Sequence, residues 1–586
     1  MLRKRLLPVN LTMALLMLSA CGGGGSSNGS GGSSGSASTA TSVDALNTAT
    51  PIKHVVVIFG ENRSFDNYFG TYPNATNPTG EPAFTAASAT QTDINVLTPT
   101  LLTANPNTTN AANIAKATSA GFPVSDMNPF RLDRSQANTA DQNHAYTPEQ
   151  LAADGGKMDA FVANTGTATS GGAGAFGTVA QVMGYFDGNT VTAMWNYAQN
   201  YAMNDNTFSD SYGPSTPGAL NVVAGTTNGA IKGVGTANTV TNADGSMTLI
   251  NDTDPAGDTC SSTTSTVQMT SRNIGDLLNG YNIPWGGFAG GFNLGLTNPN
   301  GTTGCTRTTF SSVLNASPKD YVPHHDWFQY FASTSNPQHT RPTSTALIGY
   351  ADPLDKTSTP VHHQYDYQDF VTAVSAGNFP AVSYIKAPSV SDAHPGNSDP
   401  LDEQAFIVNV LNFLQQQPDW KNTAVIITYD DSDGWYDHQF AQTLRSSFDA
   451  VTTVAVNTGS KSLVGADQLS GPGSCTGPSA SQGIGLGGGV VNGRCGPGTR
   501  IPFIVISPWA KVNYVDHTQL TQASVIRFIE DNWMSGTRLG GGSDDATAGS
   551  IMSMFNFSGA AQTSTLYLDP SQGTKLSAPP TTSTTT

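Results

Sequence analysis

His54-Val55-Val56-Val57-Ile58-Phe59-Gly60-Glu61-Asn62-Arg63 is a short β-branched run that stops at a glycine and then an acid. An apolar run of this length without polar alternation reads as a strand buried on both faces, as in a parallel sheet. Ala424–Tyr429 (AVIITY) and Ile501–Ile506 (IPFIVI) repeat the pattern. Helical patterns lie between them at Val191–Tyr201, Leu401–Gln416 and Thr521–Trp533, with Phe406, Val410 and Leu414 at helical spacing. Strands alternating with helices predict an α/β sandwich, a mostly parallel central sheet flanked by helices. Gly/Thr/Asn-rich stretches near 80–125, 230–310 and 455–498 read as long surface excursions from one domain at 51–560.

The 586 residues carry a formal net charge of -17, which argues against binding nucleic acid by neutralising phosphates. Only 11% of the residues are charged, a composition that suits an exported protein. The start is basic (Arg3, Lys4, Arg5), and Leu6–Leu18 is apolar but short for a membrane span. It ends in Leu18-Ser19-Ala20-Cys21, which resembles a bacterial lipobox, so residues 1–21 are expected to be a signal peptide with Cys21 lipidated. Residues 22–50 are a Gly/Ser/Thr linker with too little apolar surface to fold, and 561–586 a Ser/Thr/Pro-rich tail. The residue after Cys21 is not Asp, which resembles lipoproteins sorted to an outer membrane. The membrane is expected to be touched only through this anchor, whether the protein faces the periplasm or the surface, or is secreted. Four cysteines remain; sequence neighbours suggest Cys260–Cys305 and Cys475–Cys495, although three pairings are possible.

Ligands in open α/β sheets bind beyond the carboxyl ends of the strands. Glu61 follows the first strand and Asp430-Asp431 the second, and adjacent carboxylates repel unless a cation sits between them. Gly213-Pro214-Ser215-Thr216-Pro217-Gly218 forces a sharp turn into a helix, placing the Ser215 hydroxyl where an anion is favoured. Among ten histidines, His144, the pair His324-His325, and His394 stand in Gly/Pro-punctuated polar contexts, suited to charge stabilisation and proton transfer.

These segments together resemble the bacterial phosphoesterase family of acid phosphatase A type enzymes and phospholipases C. The resemblance runs through Ile52–Gly70, Tyr321-Val-Pro-His324-His325, Ser391-Asp-Ala-His394 to Glu403, Tyr429-Asp430-Asp431 to His438, Arg500–Lys511 and Val515-Asp-His517. It implies a fold similar to the alkaline phosphatase superfamily, with one divalent metal held by Glu61, Asn62, Asp430, Asp431 and the nucleophile Ser215. Hard oxygen ligands favour calcium, magnesium or manganese over zinc. By the same resemblance His144, His324 or His325, and His394 surround the phosphoryl group, and Asn62 orients it. Alternation in an extended segment lets only one of His324 and His325 point inward.

The sequence around Ser215 looks closer to the acid phosphatase branch, because the aromatic residue and Pro-Asn-Arg that follow the phospholipase nucleophile are missing. No additional C-terminal β-domains are expected after Trp533. The expected function is therefore an exported acid phosphatase acting on phosphate monoesters through a phosphoserine, with an optimum below neutrality. A phospholipase C acting on phospholipid head groups is the alternative within hydrolases. A surface lipoprotein that binds without turnover is the alternative outside them.

Overall fold

The computed structural model of the chain describes residues 43–167, 178–235, 238–447, 475 and 477–580. The lipobox, the linker as far as residue 42, and residues 455–474 of the third excursion lie outside the described residues. Packed structure already includes Val43, ahead of the expected start at Pro51: it is buried, and the Thr50 hydroxyl donates to Asn532 Oδ1 at 2.8 Å.

Eight strands form the central sheet. They are β1 (His54–Gly60), β2 (Ala202–Asn204), β3 (Trp285–Ala289), β4 (Gln364–Asp366), β5 (Val382–Lys386), β6 (Thr423–Tyr429), β7 (Phe503–Ile506) and β8 (Tyr514–Asp516). Their spatial order is β4-β3-β5-β1-β6-β7-β2-β8. Neighbours are parallel except around β7, which runs against both β6 and β2. The fold is thus mixed α/β with a mostly parallel sheet. β7 begins at Phe503, later than the expected Ile501, because Pro502 has no N–H for the ladder.

The expected helices form as α2 (Thr192–Asn200), α5 (Pro400–Leu414) and α6 (Ala523–Trp533); α1 (Tyr146–Ala153), α3 (Ser215–Ala224) and α4 (Tyr367–Ser375) join them. Two surface assignments need correction. The stretch near 230–310 contributes β3 to the sheet, with Trp285 and Phe288 fully buried. Its Trp-Gly-Gly-Phe-Ala sequence lacks the β-branched run that marks β1. The segment read as a tail from 561 also packs against the domain. Leu566 and Leu568 are buried along α5, where the Gln415 and Asn412 side-chain amides bond their backbones at 2.7 Å and 3.2 Å. Disulfides join Cys260–Cys305 and Cys475–Cys495, the sequence-neighbour pairing. Among the described residues no helix is long and apolar enough to cross a membrane.

Candidate active site

Three neighbouring parallel strands, β5, β1 and β6, end at one edge of the sheet and each delivers a charge there. The register His54↔Thr423 through Gly60↔Tyr429 sets Glu61 beside Asp430. Asn62 N donates to Asp430 Oδ1 at 2.8 Å, and Asn62 itself adopts φ 58°, a left-handed conformation that asparagine tolerates. β5 contributes Lys386, which sequence reasoning missed: its Nζ lies 2.6 Å from Glu61 Oε1 and 3.5 Å from Asp392 Oδ2. The signal was available, because Val382-Ser-Tyr-Ile-Lys386 ends a buried strand in a charge, as the other two do.

Ser215 is the first residue of α3, after Gly213 at φ 124° and Pro214. Its hydroxyl donates to Glu61 Oε2 at 2.8 Å and lies 3.3 Å from Asn62 Oδ1 and 3.4 Å from Asp431 Oδ2. Two acids clamp the turn around it: buried Glu149 Oε2 accepts from Gly213 N at 3.0 Å, and half-buried Asp252 Oδ1 accepts from Thr216 N at 2.9 Å. Glu149 Oε1 also accepts from Ser432 Oγ at 2.6 Å, tying the Ser215 turn to the loop that carries Asp430 and Asp431. Burial pushes the Glu149 carboxyl up to about 7.

Gly218 lets α3 approach that loop closely, since a Cβ there would stand 2.3 Å from the Asp430 carbonyl oxygen. Gly218→Ala should therefore destabilise the protein by about 1–3 kcal/mol through overpacking. It should also slow turnover by moving Ser215 away from Asp431. Unfolding curves and rates measured on one preparation test this, and an unchanged midpoint would refute the close-packing account.

The histidines divide between the two sides of this centre. His144 Nε2 and His394 Nε2 each lie 3.3 Å from the Asn62 side-chain amide. His144 Nδ1 lies 3.2 Å from Asp433 Oδ1. Burial opposes charge on His144, but Asp431, Asp433 and Asp141 outweigh it and hold the ring protonated well above the usual histidine range. His325 turns inward, its Nδ1 3.3 Å from Glu61 Oε1 and its ring stacked on His394 at 5.8 Å. Its neighbour His324 is more open and bonds Asp254 Oδ1 at 3.2 Å. Ser215, Glu61, Asn62, Asp430, Asp431, His144, His325 and His394 thus share one centre, with His324 at its margin.

The donor set fits a cation. The Asn62 amide oxygen faces acceptors only, 2.7 Å from Glu61 Oε2, 3.2 Å from Asp430 Oδ2 and 3.3 Å from Ser215 Oγ. Oxygens crowded in this way need either a positive ion among them or an amide turned to present its nitrogen. Burial, then the charges of Asp431 and Glu61, push Asp430 well above the carboxylate range. Burial and Glu149 do the same to Asp431 against His144. Burial also works to raise Glu61, but His325 and Lys386 outweigh it and hold its carboxyl well below its usual range. Lys386 therefore offsets the charge of Glu61, which still presents its second oxygen beside Asp430 and Asp431. A histidine-containing group, Glu61 with His325 and His394, also brings its ligand atoms within 4.8 Å of one another. The Glu61–Asp430–Asp431 set is joined instead through Ser215 and Asn62.

A buried hydroxyl at a helix start, backed by acids and faced by histidines, is an arrangement that can receive an anionic group. Comparison with known proteins agrees. Part of the chain is 29% identical over 170 residues to a non-hemolytic phospholipase C of Pseudomonas aeruginosa, covering 27% of this chain and 21% of that protein. It is 32% identical over 163 residues to a non-hemolytic phospholipase C of Burkholderia pseudomallei, covering 27% and 19%. It is 27% identical over 203 residues to phospholipase C B of Mycobacterium tuberculosis, covering 34% of each. The chain thus spans about a fifth to a third of the length of these relatives. A solved structure of a protein in the alkaline phosphatase superfamily from Vibrio parahaemolyticus aligns over 72% of this chain and 74% of its own, at 9% identity and a TM-score of 0.24. That likeness is too slight to carry an argument. The model of the Phosphoesterase family matches residues 52–534, and the chain belongs to that family.

Proposed function

We propose that the protein hydrolyses phosphate monoesters, with Ser215 as nucleophile and a phosphoserine intermediate. The observation that carries this reading is the placement of Ser215 Oγ in the first turn of α3, 2.8 Å from Glu61 Oε2. The hydroxyl proton points at a carboxylate, which leaves the oxygen lone pairs for phosphorus. The helix start favours the anionic phosphoryl group. His144 or His394 protonates the departing alkoxide, and water then cleaves the phosphoserine to give phosphate and the free hydroxyl. Glu61, Asn62, Asp430 and Asp431 would hold a hard divalent ion, which would supply positive charge to lower the proton affinity of Ser215 and polarise the phosphoryl group. Oxygen donors favour calcium, magnesium or manganese there, with zinc the softer alternative.

A charged His144 sets the direction of the pH profile. Its pKa is raised, so its charge is full in acid and is lost as pH rises through the raised value. Activity should accordingly be highest at acidic to neutral pH and fall on the alkaline side.

Similarity to the phospholipases supports a second reading, cleavage of phosphodiesters in lipid head groups. Assays on p-nitrophenyl phosphate, p-nitrophenyl phosphorylcholine and phosphatidylcholine, with and without chelator, separate the two. Monoester turnover at acid pH, lost to chelator and restored by a divalent ion, is the expected result. Preferential release of phosphorylcholine would move the protein to the phospholipase reading, and no turnover with metals resupplied would sink both. We also propose export as a lipoprotein anchored through Cys21, supported by the Leu18–Cys21 sequence; mass spectrometry of the mature N-terminus tests it, and an unlipidated Cys21 would refute it.

A further inference from the structure

A second hollow opens at the same edge of the sheet, over the strands next to the catalytic ones. It is a cavity of about 600 Å³. Gly290, which follows β3, Pro388, which follows β5, and Tyr367 at the start of α4 are among the residues that line it. Gly290 has to be glycine, since a Cβ would stand 2.2 Å from Pro388 N. Leu296 and Phe310 also line the cavity, yet they are 43% and 60% exposed. They sit on a loop held by the Cys260–Cys305 disulfide and by Arg307, whose Nε donates to Asp320 at 2.7 Å. Two large apolar side chains on a tethered loop, both facing the same cavity, offer hydrocarbon whose burial under an apolar ligand would be favourable.

The cavity adjoins the candidate active site. β3 stands two places from β1, a distance of about 10 Å at the usual strand spacing. Gly290 and Asp320 also line a narrow cleft with His325, Lys386 and Asp392. Pro388, Val390 and Ser391, on the cavity side, belong to the short segment that joins Lys386 to Asp392. A group bound in the cavity thus rests on the segment that joins Lys386, the partner of Glu61, to Asp392.

We propose that this cavity is the subsite for the alcohol part of the phosphate ester, and that it takes an apolar alcohol, alkyl or aryl. The inference rests on the hydrolytic reading above and names the class of leaving group. A sugar or a second phosphate fits less well because hydrocarbon makes up most of the wall and its amides and guanidinium are already engaged, while the free Asp320 Oδ1 repels a phosphate. The side-chain amides of Asn298 and Asn300 both donate to Thr308 O at 2.8 Å, and Arg307 is bound to Asp320 and to Asn293 O. The hydrocarbon of Leu296, Phe310, Pro388 and Val390 remains for a ligand.

The test compares the full-length protein with a Leu296→Asp/Phe310→Asp variant, whose two changes lie at exposed positions. Rates are measured on methyl, butyl and hexyl phosphate below any micelle concentration, and the neutral dye N-phenyl-1-naphthylamine is titrated in parallel. In the parent protein kcat/KM should rise at least about tenfold from methyl to hexyl phosphate, as methylenes leave water. In the variant that rise should shrink below about threefold, with the methyl phosphate rate unchanged. A parent protein indifferent to chain length, or a variant that keeps the preference, overturns the proposal. If no ester is turned over with metals resupplied, the hydrolytic reading fails and the dye decides the cavity. Saturable one-to-one binding lost in the variant supports an apolar-ligand site, and its absence overturns that as well.

Discussion

Ser215→Ala should lower kcat by about a thousandfold or more and leave the protein folded. The side chain is 1% exposed, and its hydroxyl is the group that reaches Glu61, Asn62 and Asp431 together. Alanine keeps the backbone, the Glu149 and Asp252 clamps and the helix start, and removes only the oxygen proposed to attack phosphorus. Glu61 is not orphaned by the change, since Lys386 remains 2.6 Å away. The cost in stability should therefore be about 1 kcal/mol, that of one lost hydrogen bond. Initial rates on a chromogenic monoester, beside circular-dichroism melts of both proteins, make the comparison. A variant with parental activity would show that another group is the nucleophile, whereas an unfolded variant would refute the view that the clamps build the turn.

Arg500→Met should have the largest effect on stability, a loss of about 3–5 kcal/mol. Arg500 is fully buried; its Nε lies 3.0 Å from Asp437 Oδ1 and its Nη2 2.9 Å from Asp66 Oδ1. Its Nη1 donates to the carbonyls of Asn95 and Asp205 at 2.8 Å, and the guanidinium lies 4.1 Å from the Phe65 ring centre. Asp66 lies in the short helix Phe65–Phe69 that follows Glu61, and Asp437 in the loop that follows Asp430, so this cation ties together the two segments that carry the acids of the site. Methionine fills similar volume but leaves two buried carboxylates short of a partner.

The pH dependence of that loss follows from those acids. Burial already raises Asp437 to about 6 against the pull of Arg500, while His438 and Arg500 outweigh burial and hold Asp66 below its usual value. Without Arg500 both rise, so the folded variant binds more protons than its unfolded chain and loses stability as pH increases. Its deficit relative to the parent should widen above pH 6 and narrow in acid. Urea unfolding at pH 5 and pH 8 checks this, and an equal deficit at both would exclude unpaired carboxylates as the cause.

Reading the sequence went furthest where one local feature settled the matter. The runs at His54–Phe59 and Ala424–Tyr429 are apolar enough to read as buried strands, and an acid directly after each marks the edge where ligands bind. The turn at Gly213–Gly218 was visible because proline and glycine restrict backbone locally. Lys386 was missed through the brevity of Val382-Ser-Tyr-Ile, and β3 through the lack of a β-branched run. The docking of Leu566 and Leu568 went unseen because two side-chain amides on a distant helix satisfy their backbone groups.

The sequence by itself determined the elements with a strong local signal: the runs that became β1, β6 and β7, the acids that follow the first two, the turn that carries Ser215 and the Gly/Pro-punctuated settings of the histidines. Tertiary structure alone decided how those ends meet. It set β5, β1 and β6 side by side and gave Glu61 a lysine partner. It turned His325 inward and His324 outward, and it brought Ser215 to Glu61 across 154 residues. Strand period and turn propensity are properties of neighbouring residues, whereas the pairing of distant segments depends on which packing buries the apolar runs and leaves their polar groups bonded.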